Sequence, residues 1–71
     1  MWSKRLEDLI ALIDKVEGNG VLAAKARLRD LLDCTYDRMQ KWLRCTTQPG
    51  SAMKNAIADV EKLYAAQARG L

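Results

Sequence analysis

The stretch from Leu31 to Arg44 constrains this chain most. Tyr36, Met39, Trp42 and Leu43 recur three and four residues apart, which at about 100° per residue places them on one side of a short helix. Asp37, Lys41 and Arg44 fall on the opposite side, with Arg38 and Gln40 on the flanks. Just before it, Asp33-Cys34-Thr35 reads as a tight turn after the apolar pair Leu31-Leu32. The Thr35 hydroxyl is suited to cap the new helix, and Asp37 in its first turn suits the positive end of the helix dipole. A segment with an apolar back and a front of long hydrogen-bonding side chains is built to dock on other helices and keep its front free.

The rest of the chain supplies those helices. Ser3 is placed to cap a helix whose apolar stripe is Leu6, Leu9, Ile10, Ile13 and Val16, and Gly18-Asn19-Gly20 ends it. A second helix over 21–32 carries Val21, Ala24, Leu28, Leu31 and Leu32 as its inward stripe. Pro49 and Gly50 break the chain after Cys45. Ser51 is then placed to cap a last helix with the stripe Met53, Ala56, Ile57, Val60, Leu63 and Tyr64. The spacing thus predicts helices over 3–17, 21–32, 35–45 and 51–68, in one all-α domain covering 1–71. A core this small often gains stability from a partner subunit. The distal end, Leu63 and Tyr64 beside Ala65, Ala66 and Ala68, is the expected surface for a second copy.

Charge is unevenly spread. The formal net charge is +3. Residues 21–50 hold six basic side chains against three acidic ones, so the excess centres on the stretch described first. That distribution suits a polyanion. No stretch is apolar enough to span a membrane, and no secretory signal is evident, so a cytoplasmic protein is expected. Cys34 and Cys45 lie at the two ends of the predicted third helix, about 16 Å apart, too far for a disulfide. Two thiols and no histidine give no zinc set, no base for a nucleophile and no reason to expect catalysis or a cofactor. No site for a small-molecule ligand is evident either.

On the front of the 35–45 helix, Gln40 has the groups to pair with adenine. Arg38, Lys41 and Arg44 can reach guanine or phosphate, and Asp37 can accept from a cytosine amino group or orient a neighbouring cation. Lys25, near the start of the preceding helix, is the expected phosphate contact there, and Thr46 and Thr47 lie in the loop just past the reading helix, where phosphate contacts are common.

From about Ala24 to Tyr64 the chain resembles the λ-repressor/Cro-like helix–turn–helix family of phage and bacterial regulators. The resemblance rests on Leu31-Leu32 ending the first helix, Cys34-Thr35 at the turn, Met39 and Trp42 at the buried positions of the second helix, and the loop with Pro49 leading to an amphipathic helix. It implies a bundle of four or five helices, no catalysis, and a dimer on a near-palindromic operator. By position it turns Thr35, Tyr36, Asp37, Gln40, Lys41 and Arg44 toward DNA. Three positions depart from the family. Arg29 stands where alanine is common, which requires Leu28 to take the buried place or the two helices to cross differently. Asp33 and Cys45 stand where glycine is frequent, and Asp33 would have to adopt a left-handed conformation. The expected function is a sequence-specific DNA-binding transcriptional regulator. The alternative is a helical protein-interaction module or inhibitor on the same scaffold. A continuous positive face around the 35–45 helix favours the first, and an apolar or mixed patch favours the second.

Overall fold

Four helices carry residues 1–70, the residues described by the computed structural model. They are α1 (Trp2–Glu17), α2 (Val21–Leu32), α3 (Tyr36–Leu43) and α4 (Ser51–Arg69). No strand occurs among the described residues, and no helix is long and apolar enough to cross a membrane. The central element is α1, which packs against each of the other three. Its Leu6, Leu9, Ile10 and Ile13 meet Ala24, Leu28 and Leu32 of α2, Met39 and Trp42 of α3, and Ile57, Val60 and Tyr64 of α4 in one core.

Two glycines shape the α1–α2 turn. Gly18 closes α1 at φ 72° and donates its N–H to the Asp14 carbonyl at 2.6 Å. Gly20 has φ 95° and ψ 164°, a region open essentially to glycine alone. Its N–H donates to the Asp14 carboxylate at 2.9 Å. A Cβ at Gly20 would meet no atom within 4 Å, so Gly20→Ala tests backbone strain with no steric confusion. It should destabilise the protein by about 1–3 kcal/mol. Urea denaturation reads this directly, and an unchanged midpoint would rule out this turn conformation.

Polar ties fasten the helix ends. The Tyr64 hydroxyl donates to Glu17 Oε2 at 2.7 Å, and Arg27 of α2 reaches the same carboxylate at 3.3 Å. Arg5 forks onto Glu61, joining α1 to α4, with its Nε 2.9 Å from Oε2 and its Nη2 2.6 Å from Oε1. Burial, and then the Glu17 carboxylate, push the Tyr64 phenol above its ordinary value of 10.0. A phenol held neutral in the fold adds stability that is intact below pH 10, the unfolded value, and fades as pH rises past it. Tyr64→Phe should therefore cost about 1.5–3 kcal/mol at neutral pH, the worth of a hydrogen bond to a charged group. The deficit should shrink above pH 10. Thermal melts at pH 7 and pH 10.5 check both parts, and a deficit that grows with alkalinity would contradict the assigned bond.

Several expectations from spacing are corrected. Ser3 is not a cap: α1 starts at Trp2, and Ser3 lies buried inside its first turn, its hydroxyl 3.0 Å from the Cys45 thiol. Ser51 is the first helical residue of α4, and Gly50 is its cap, with no side-chain hydrogen bond. The third helix is shorter than 35–45, because Thr35 is the cap and the chain turns left-handed at Cys45, φ 61°. Val21, Leu31, Tyr36 and Leu63 are exposed although each belongs to a predicted apolar stripe. Tyr64, expected at a subunit contact, closes its own core.

Candidate nucleic-acid interface

Only eight residues form α3, too few for a helix to hold by itself in water. Two features keep it in place. The Thr35 hydroxyl oxygen accepts the Arg38 N–H at 3.2 Å, capping the first turn. Met39 and Trp42, 2% and 3% exposed, pin the back of the helix in the core. The turn before it depends on Asp33, which takes the left-handed conformation at φ 51°. The Cys34 N–H then closes back on the Arg29 carbonyl at 3.2 Å. This pattern satisfies the last carbonyls of α2 before the chain reverses.

With its back fixed, α3 presents Asp37, Lys41 and Arg44 to solvent. Asp37 and Lys41 form an i,i+4 pair at 3.3 Å. The carboxylate therefore orients a cation, and in this exposed setting the pair adds little stability. Arg38 is exposed on one flank, its guanidinium 5.7 Å from the centre of the Trp42 ring. On the other flank Tyr36 stands out into solvent with the Arg29 guanidinium 5.3 Å over its ring. Arg44 caps the C-terminal end. The exposed Thr46 and Thr47 follow, and their N–H groups fold back onto the Lys41 carbonyl at 2.9 and 3.4 Å. Thr35, Tyr36, Asp37, Arg38, Lys41, Arg44, Thr46 and Thr47 are all exposed on or next to α3, although Thr47 also lines a pocket with Trp2 and the core-facing Trp42.

Lys25 and Gln40 lie elsewhere. Both are half-buried and line a groove of about 300 Å³ between α2 and α3. Its apolar lining is Ile10 and Ala11 of α1, Val21 of α2 and Leu43 of α3, and Glu7 stands at its edge. Spacing did not reveal this groove. Leu22, an apolar residue about 120° off the line of buried Ala24, Leu28 and Leu32, is 82% exposed on α2 but is not among the residues lining this groove.

Leu28, fully buried, takes the inside place next to Arg29. Arg29 itself lies along the surface with its Nε buried and without a hydrogen-bond partner. The two thiols are free. Burial pushes the Cys34 thiol up, with Arg38 and Arg29 opposing only in part, so it is a poor nucleophile at neutral pH. No protein family, characterised protein or solved structure matches the chain.

Proposed function

We propose that this protein is a sequence-specific DNA-binding transcriptional regulator that acts in the cytoplasm and reads the major groove with α3. The observation that carries the reading is the display of Arg38, Lys41 and Arg44 on the free side of a helix that Met39 and Trp42 hold rigidly from behind. Such a front supplies salt-dependent affinity for phosphates by releasing counterions, and side chains reaching base edges add the sequence preference. The order α2, three-residue turn, capped α3 supports a helix–turn–helix of the λ-repressor/Cro-like kind. The left-handed backbone at Asp33 and Cys45 supports it further, since these are the positions where that family often has glycine.

A salt titration of binding to mixed genomic fragments, with sequencing of what is retained, tests the proposal. Steep salt dependence and one enriched, near-palindromic motif would establish it. Weak retention with no enriched motif would overturn it.

A second reading is favoured by the partly apolar groove between α2 and α3 and by Leu22, a large apolar side chain exposed on α2. An apolar patch beside a basic one is what a protein-interaction module presents. The same titration separates the two readings, because such a module would show no base preference.

A further inference from the structure

We propose that Arg29, held against the ring of Tyr36, is the centre of a binding site for a phosphate group beside the α2–α3 turn. In the DNA reading, on which this inference rests for its first source, the phosphate belongs to the duplex backbone. A free phosphate compound is the other source of the same chemistry. Arg29 stands where the λ-repressor/Cro-like family commonly has alanine, so the resemblance does not supply this contact.

Arg29 lies in the last turn of α2, next to the fully buried Leu28. A guanidinium beside the core costs desolvation unless its N–H groups meet acceptors. This chain does not provide them. The Arg29 Nε is buried and has no hydrogen-bond partner. Among the described residues Arg29 forms no ion pair, and neither do the neighbouring acids Asp30 and Asp33. Its one recorded partner is an aromatic ring: the guanidinium carbon lies 5.3 Å over Tyr36, a residue 58% exposed on the first turn of α3. A cation held against a ring is attracted by the ring's quadrupole without using its N–H groups on an acceptor. A planar fork positioned in this way, with no carboxylate of its own, suits the paired oxygens of a phosphate.

A second cation stands nearby. Arg38, in α3, is exposed and also forms no ion pair among the described residues. The charges of Arg38 and Arg29 both act on the Cys34 thiol inside the turn, so the two guanidinium groups serve the same short stretch of surface. The acid in the first turn of α3, Asp37, is engaged by Lys41 at 3.3 Å.

Inorganic phosphate, titrated to about 50 mM against sodium chloride of equal ionic strength and followed by NMR, tests the site without DNA. The Arg29 Nε–H signal should shift saturably, the Arg38 signal should move with it, and the Arg38 shift should vanish in Arg29→Gln. On random duplex DNA, Arg29→Gln should bind about 8-fold more weakly at 0.1 M salt and flatten the dependence of log K on log salt by about 0.9, with base preference unchanged. Tyr36→Leu should weaken binding by about 2- to 5-fold, and Tyr36→Phe, which keeps the ring, should not. In the Arg29→Gln background Tyr36→Leu should add nothing, because the ring acts through the guanidinium. A merely structural role for Tyr36 would give no such coupling. Thermal melts of Arg29→Gln should match the wild type, since the guanidinium has no acceptor to lose. A phosphate shift in a chain without DNA affinity would assign the site to a free phosphate compound and refute the DNA reading alone. No phosphate shift, with DNA binding that is absent or indifferent to Arg29→Gln, would overturn this proposal, and in the indifferent case the DNA reading would stand.

Discussion

Trp42→Ala should cost about 3–5 kcal/mol of stability, the usual range for deleting a buried tryptophan. The whole stability of a domain this size is expected to be of the same order, at about 0.05–0.15 kcal/mol per residue. The variant should therefore melt more than about 15 °C below the wild type, or lose its cooperative transition. The reason is local. The principal packing partner of α3 is α1, and the contact depends on the two fully enclosed side chains of α3, Met39 and Trp42. Removing the larger one leaves a hollow in the core facing α1 and frees a helix too short to persist unaided. Circular dichroism during heating, with the fluorescence of the remaining Trp2, reports the transition. Trp42→Phe is the control: it keeps an aromatic ring and should recover much of the loss. If Trp42→Ala melted like the wild type but no longer bound DNA, Trp42 would belong to the front of the helix and the whole assignment of faces would rotate with it.

The orientation of α3 was legible from spacing because this helix has one narrow apolar side and charges nearly everywhere else. The core of α1 was equally plain: Leu6, Leu9, Ile10 and Ile13 form an unbroken stripe on a helix that meets partners along its length. Spacing failed where a helix runs past its neighbours. Val21 occupies the first turn of α2 and Tyr36 the first turn of α3, and both are left exposed. Leu31 and Leu63 sit off the centre line of their buried sides, and a period of 3.6 residues does not tell how wide the covered strip is. The capping errors have a similar origin. A serine near a helix start is a good cap in general, but here the Ser3 hydroxyl meets the thiol of Cys45, 42 residues away. The Tyr64–Glu17 bond spans 47 residues and the Arg5–Glu61 pair 56. Such pairings arise from the way helices come together and leave no local pattern. The candidate site divides in the same way. Its outward residues on α3 could be read from one helix, whereas the groove holding Lys25 and Gln40 exists only once three helices are in place.

Lys41→Ala and Arg44→Ala should each weaken specific DNA binding by about 1–3 kcal/mol, or roughly 5- to 150-fold, if the side chain reads a base. A side chain that meets only phosphate would act differently. It would weaken all sequences alike and flatten the dependence of log K on log salt by about 0.9 for each phosphate no longer neutralised. The two residues lie three apart on one face, so their effects in a double variant should couple and fall short of a simple sum. Folding should be spared, since both side chains are exposed and, among the described residues, the only partner of Lys41 is the surface carboxylate of Asp37. Asp37→Asn separates attraction from selection. Removing the carboxylate releases Lys41 and removes a repulsion from phosphate, so affinity for random DNA should rise. The preference for the cognate motif should fall if Asp37 accepts from a cytosine amino group or holds Lys41 at a particular base. Competition titrations of cognate against random duplex at two salt concentrations distinguish these outcomes. Unchanged binding in both the Lys41 and the Arg44 variants would remove DNA reading from this face of α3. The paired Asp37 and Lys41 would then be an ordinary solvated turn of helix, and the groove on the neighbouring face would become the site around which function has to be explained.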